Sequence, residues 1–179
     1  MAEAAAEPVA PGLLLDPRFE IAGDAQSLLH WTLSQHAGAS SYEYDVEDGV
    51  LSLRRIGVEP WGIIQQQLDA NDWAGKTMEF SVDLAAELDD SYGAPFDATG
   101  LSVSALGFGP GDLPMMGKHI LLAATQEPGL DLGEHGWKRH RLRFTLPEAT
   151  EVDLRLSVQL TYGGELKMRS PSLVIVESN

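Results

Sequence analysis

Trp61 follows Glu59-Pro60 and precedes Gly62, a turn-like setting that displays a large ring rather than burying it. In the run that follows, Gln65 and Gln67 fall on one side while Ile64 and Leu68 fall on the other. A Trp beside two amides on one strand face suits a particular chemistry. Sugar rings present apolar C–H faces that stack on aromatic rings, and their hydroxyls hydrogen-bond with planar amides and guanidinia. The plainer alternative is a solvated face beside an incidental aromatic. Two further polar sets could join the first. Arg139, Arg141 and Arg143 alternate with Lys138, His140 and Leu142 in the only dense basic stretch of the chain. That stretch would attract an anionic ligand or neutralise the acidic segment from Glu87 to Asp97. Arg155, Ser157 and Gln159 occupy the side of the run Val152 to Leu160 opposite its apolar residues. If these strands share a sheet with Gln65 and Gln67, the joint surface suits neutral or uronic-acid-containing polysaccharides.

Catalysis is not indicated. The five His residues, His30, His36, His119, His135 and His140, show no His-x-His or His-Glu-x-x-His spacing for a metal. No Gly-x-Ser-x-Gly elbow is present for a serine hydrolase. Gly107-Phe108-Gly109-Pro110-Gly111 is rich in glycine, but Pro interrupts it and the Lys-Ser/Thr of a phosphate loop does not follow. Carboxylates such as Glu87, Asp89 and Asp90 cluster as chance provides in a chain with 27 acidic residues, so composition picks out no glycosidase pair. The absence of Cys removes disulfides, thiolate metal sites and a cysteine nucleophile.

The chain has 179 residues, with 27 acidic against 12 basic side chains and a formal net charge of −15. Nucleic acid is therefore a poor partner, because phosphate backbones are held by clustered Lys and Arg. A hydrophobic fraction of 44% against 22% charged is the balance of a globular chain, and the length suits one domain. No run of about 18 apolar residues offers a membrane span. Met1 to Gly12, mostly Ala, Glu and Pro, is expected to be a flexible leader before a single domain over 13–179. It lacks the basic start and apolar stretch of a signal peptide.

Short strands must position the candidate residues. Met78, Phe80, Val82 and Leu84 alternate with Glu79, Ser81 and Asp83, the period of two of a half-buried strand. The same alternation recurs over Leu142 to Leu146 and Val152 to Leu160. Further strands are expected at Tyr42 to Val46, Val50 to Ile56, Gly62 to Leu68, Leu101 to Leu106, His119 to Ala124 and Ser172 to Glu177. Asp48-Gly49, Ala74-Gly75, Pro128-Gly129 and Gly163-Gly164 read as turns between them. Such a pattern, without a helix beyond a turn within Asp24 to Leu29, predicts an all-β, antiparallel sandwich. Trp31, Trp73 and Trp137 stand just before or inside apolar alternations and are expected in the core or sealing a sheet edge.

An opening Leu15-Asp16-Pro17-Arg18-Phe19-Glu20 is followed by Trp31 and the Asp48-Gly49 strand pair. Trp61-Gly62-Ile63-Ile64-Gln65 comes next, then Trp73-Ala74-Gly75-Lys76-Thr77-Met78-Glu79-Phe80-Ser81. Late in the chain Gly136-Trp137 precedes Phe144-Thr145-Leu146-Pro147. This order of landmarks resembles the jelly-roll carbohydrate-binding modules of the galactose-binding-like superfamily, of the type found beside xylanases and glucanases. The resemblance implies a jelly roll that binds polysaccharide without catalysis, in a secreted or periplasmic setting, with the cytoplasm as the alternative because no signal peptide is read. It also implies a structural calcium held by the Glu of the opening turn, here Glu20, and a late carboxylate. The late stretch is instead Lys167-Met168-Arg169-Ser170-Pro171-Ser172-Leu173, which lacks the carboxylate and weakens the case for calcium, an ion that takes six to eight oxygens, while Glu20 remains as a candidate ligand. An ion pair of Glu20 with Arg169 could replace it. No other cofactor is expected.

Taken together, the expected ligand is a polysaccharide or oligosaccharide, acidic ones included, bound by Trp61, Gln65, Gln67, Arg139, Arg141 and Gln159. The alternative is a protein-interaction or assembly sandwich without a glycan. The apolar loop carrying Phe108, Leu113, Met115 and Met116 would then serve as an interface, for instance in a homodimer. A polysaccharide-active enzyme is the third reading.

Overall fold

Alternation at period two decides the architecture. The computed structural model describes residues 12–23, 27–93, 99–108, 118–124, 129–148 and 151–176, the side chains of 107–108 and 118–124 excepted. The expected leader up to residue 11, the Gly109-Pro110-Gly111 turn, and Leu113, Met115 and Met116 lie outside the described residues. Among the described residues, ten strands follow one another. They are β1 (Thr32–Gln35), β2 (Tyr42–Glu47), β3 (Val50–Arg55), β4 (Gly62–Asp69), β5 (Thr77–Asp89), β6 (Gly100–Phe108), β7 (Lys118–Ala124), β8 (Gly133–Thr145), β9 (Glu151–Leu160) and β10 (Gly163–Ile175). A 3-10 turn, Asn71–Trp73, is the helical element among them. The strands form two antiparallel sheets, a front sheet in the order β1-β4-β9-β6-β7 and a back sheet in the order β2-β3-β10-β5-β8. This is the antiparallel β-sandwich of jelly-roll type that the sequence predicts.

The inner faces carry the apolar residues of each alternation. Phe80 and Val82 from the back sheet and Leu154 and Leu156 from the front sheet are fully buried, with Phe144 and Val158 beside them. The β2–β3 hairpin turns on two residues, Asp48 and Gly49, at φ of 50° and 78°. Both angles are positive, as a two-residue turn matched to strand twist requires.

Two polar contacts lock the layers. Tyr42, on the back sheet, lies so close to Gly62 of the front sheet that a Cβ there would stand 2.4 Å from its ring. The Tyr42 hydroxyl donates to Glu59 O at 3.0 Å, and burial pushes its phenol up to about 12. Gln66, on the inward side of β4, is 1% exposed among apolar neighbours. Its Oε1 accepts from Leu15 N at 2.9 Å and its Nε2 donates to Leu15 O at 2.8 Å, pinning the opening segment to the front sheet. An amide buried this deeply is tolerable because both ends are satisfied.

Several boundaries differ from the expectation. The last strand begins at Gly163, not Ser172, so Gly163-Gly164 starts a strand and Thr161–Tyr162 makes the connection. Pro171 sits where the pairing with β5 shifts between Arg169 and Ser172, with Ser170 at a φ of 50°; an irregularity of this kind is where a strand accepts Pro. Strand β1 was not expected, being only four residues long. Strand β8 starts at Gly133, which places Gly136-Trp137 inside it. Trp31 is core, 1% exposed, with its Nε1 donating to Asp16 O, and Trp73 packs against the core from the 3-10 turn. Trp137 corrects the expectation: the parity it shares with Arg139 turns it to the outer face of the back sheet, where the Arg169 guanidinium lies 4.0 Å from its ring centre.

Truncating Leu156 or Phe144 to Ala should cost about 2 to 5 kcal/mol of stability. Chemical denaturation of the two variants checks this, and a loss below about 0.5 kcal/mol at either site would contradict its core position.

Candidate functional site

Strand β4 turns Ile63, Gln65 and Gln67 outward from the front sheet, since Ile64, Gln66 and Leu68 face in. Register with β9 and β6 extends this polar face. Gln67 stands opposite Arg155, which stands opposite Ser104. In the next row Thr32, Gln65, Ser157 and Ser102 line up, and beyond it Ser34, Ile63 and Gln159. Asp69 and Asp153 close one end, where Gln67 Nε2 donates to Asp153 Oδ2 at 2.6 Å. Trp61, half-buried one position before β4, shares the outward parity at the other end. From Trp61 to Gln67 the strand rises about 20 Å.

The segment that presents Trp61 is held from several sides. Arg55 is buried and donates to Gly57 O, Val58 O and Thr161 O at 2.8 to 3.1 Å, while Ile56 N and Gly57 N both donate to Ser41 O. The Glu59 carboxylate accepts from Ala37 N and contacts His36 Nδ1, each at 3.0 Å. The His36 ring meets Trp61 at 6.1 Å between centres and 82° between planes, an edge-on contact that braces the indole. Sequence reasoning missed Arg55, Glu59 and His36 here. Only the short spacing from Arg55 to Trp61 hinted that they serve one loop.

The structure joins Gln65, Gln67 and Gln159 on one face with Trp61 at its end, but puts Arg139 and Arg141 on the other sheet. The expectation of one joint groove is corrected at this point. Strand β8 is an edge strand of the back sheet, and its arginines answer β5. Arg139 donates to Asp83, Ser81 Oγ and Ser170 O, and Arg141 and Arg143 converge on the two oxygens of Glu79 at 2.8 and 3.0 Å. They neutralise Asp83 and Glu79 of the neighbouring strand β5, not Glu87, Asp89 or Asp90. Burial alone would raise the Glu79 carboxyl, but the hydrogen bonds from Arg143 and Arg141 outweigh it and lower the pKa.

Two grooves open on the back sheet. The larger, 650 Å³, is lined by Arg54, Arg55, Tyr92, Glu87, Glu134 and Glu165 among others, and a 240 Å³ groove continues it to Trp137 and Lys167. Glu165, Glu87 and Glu134 stand side by side in register. Arginines already lie over both aromatic rings, Arg55 at 4.3 Å from the centre of Tyr92 and Arg169 at 4.0 Å from that of Trp137. One face of each ring is thereby taken, so groove volume alone does not make this the sugar surface.

Nor do the residues of the opening turn fit a calcium ion. Glu20 is exposed and paired with Arg18 at 2.8 Å, while Arg169 lies against Asp83 and Trp137, so the expected Glu20–Arg169 pair is not formed. The Asp16 carboxylate accepts from Glu20 N and Ile21 N, so both of its oxygens are already engaged in closing the turn. Among the described residues no three His, Asp or Glu side chains converge as ion ligands.

No family model matches the sequence, and no curated protein does. Solved structures are similar in fold. The C-terminal family 22 carbohydrate-binding module of Clostridium thermocellum Xyn10B matches at 17% identity over 97% of this chain and 99% of that one, with a TM-score of 0.55. A xylan-binding domain of family 22 matches at 14% identity over 87% and 92%, with a TM-score of 0.50. The chain shares the jelly-roll fold of carbohydrate-binding modules. It also spans 20% of the enzymatically active domain of the bacteriophage CBA120 tailspike protein 4, at 13% identity and a TM-score of 0.47 over 83% of its own length.

Two outcomes are expected. Chelation should leave the melting temperature unchanged, and a drop in calorimetry on adding EDTA would reveal a metal. Because the folded pKa of Glu79 lies below its unfolded value, its pairing stabilises above the unfolded pKa and is lost as pH falls through the folded one. The melting temperature of Glu79→Gln should therefore lie below wild type at pH 7, and the gap should close in acid below about pH 4.

Proposed function

We propose that the protein is a non-catalytic carbohydrate-binding domain that holds a polysaccharide on the outward face of the front sheet. The observation that carries this reading is the contrast between the two outward faces. On the back sheet the outward arginines are each paired with carboxylates, Arg54 with Glu43, Asp45 and Glu165, Arg139 and Arg169 with Asp83, and Arg141 and Arg143 with Glu79. On the front sheet the rows between Trp61 and Asp153 consist chiefly of amides and hydroxyls. In this reading Trp61 stacks on a sugar ring, and Gln65, Gln67 and Gln159 hydrogen-bond its hydroxyls. Arg139 and Arg141 take no part, being occupied on the opposite sheet. Support also comes from proteins of the same fold, which include a xylan-binding domain, so xylans belong first in any ligand panel. Folds host many functions, and it is the face that argues for this one.

Affinity electrophoresis through gels containing arabinoxylan, glucuronoxylan, mixed-linkage glucan or pectin tests the reading. Wild type should be retarded by at least one polymer. Trp61→Ala should lose about 1 to 3 kcal/mol of that binding while keeping its melting temperature close to wild type. Retardation by none of the polymers, or unfolding of the variant in place of lost affinity, would count against it.

A further inference from the structure

Arg155 lies on β9, the middle strand of the front sheet, between Gln67 on one side and Ser104 on the other. Its situation is unlike that of the other seven arginines of the chain. Arg18, Arg54, Arg139, Arg141, Arg143 and Arg169 each stand within 3.6 Å of a carboxylate oxygen. Arg55 spends its donors on three backbone carbonyls. Arg155 makes neither an ion pair nor a hydrogen bond among the described residues, and its Nε, like those of Arg139 and Arg169, is shut off from solvent without a hydrogen-bond partner. The stem is thus held against the sheet while the charge goes unanswered, in a protein with 15 more acidic than basic groups. A partly desolvated guanidinium without a partner is costly, and an arriving anion would recover that cost.

We propose that Arg155 receives a carboxylate of the ligand, so that the front face selects glycans in which occasional uronic acids punctuate a neutral chain. The planar guanidinium matches a carboxylate through paired hydrogen bonds. Sparse acidity follows from the surroundings. The flanking rows are uncharged amides and hydroxyls suited to neutral sugars, Asp153 and Asp69 stand one row away, and the net charge of −15 opposes a dense polyanion. One carboxylate meets this repulsion once and gains the paired contact, whereas a polyuronate or a sulfated chain meets it at every residue. The inference rests on the glycan-binding reading of this face, and its test separates the two.

Isothermal calorimetry with glucuronoxylan, and with the same polymer after its carboxyl groups are reduced to alcohols, isolates the acid. Wild type should bind the native polymer about tenfold more tightly than the reduced one at low salt, with the difference shrinking as salt rises. Arg155→Gln should erase that preference, Arg155→Lys should restore part of it, and Arg143→Gln on the opposite sheet should keep it whole. Equal affinity of wild type for the two polymers needs no variant to interpret and overturns the proposal, as does a preference that survives in Arg155→Gln; both leave glycan binding standing. If wild type binds neither polymer, the proposal falls, and failure of the neutral glycans as well takes the reading of the face with it.

Discussion

The contact between Tyr42 and Gly62 governs the front face. A tyrosine ring from one sheet lies against the backbone of the other so closely that no side chain fits at position 62. Position 62 must therefore face inward. Because strand parity is rigid, Trp61, Ile63, Gln65 and Gln67 then face outward together, and a slip of one residue would bury the amides and expose Ile64 and Leu68. The Tyr42 hydroxyl extends the lock to Glu59 O, and Arg55 and Ser41 fix the intervening loop. The same contact that joins the two layers thus sets where the Trp stands.

Once parity is fixed, the two outward faces diverge in chemistry. The back sheet matches acids against bases across its strands, and such exposed pairs add little stability each. Their effect is to leave the outward arginines little free charge for a ligand. Arg139 and Arg169 share Asp83, which is 9% exposed at its side chain, so separating either pair would strand a carboxylate in a poorly solvated place. The outward rows of β4 and β9 between Trp61 and Gln67 are filled chiefly by groups that carry no charge. Gln67 meets Asp153, but Gln65 and Gln159 stand beside hydroxyls and amides whose hydrogen bonds water supplies and a sugar could replace.

Much of this could be read from the residues. The alternations around Phe80, Phe144 and Leu156 are local, and they gave the strands and the core because burial of one face enforces period two. Gln65 and Gln67 could be placed on one face for the same reason. What could not be read depends on pairing between distant segments. Arg139 and Gln159 look alike as outward residues of polar-apolar strands, and only the strand order puts them on opposite sheets. Gln66 sits where the pattern expects an apolar side chain, and nothing nearby in sequence reveals that Leu15 satisfies it. Pro171 masked the first part of β10 because a breaker is tolerated where the ladder itself shifts, and Gly163-Gly164 did so because Gly164, at a φ of 93°, lies too close to Glu87 O for a side chain.

Binding by such a face turns on how much order already exists before the ligand arrives. Long polar side chains lose rotamer freedom when they grip a ligand, at about 0.5 to 1.5 kcal/mol each. Trp61 escapes much of that cost, since His36 braces its ring and the loop behind it is hydrogen-bonded throughout. Gln67 is partly ordered by Asp153, and Arg155 by the packing around its Nε. Gln65 and Gln159 keep more freedom. On the proposed reading, affinity would concentrate at the two ordered ends, the indole and the guanidinium, while the amides between them adapt to the sugars they meet.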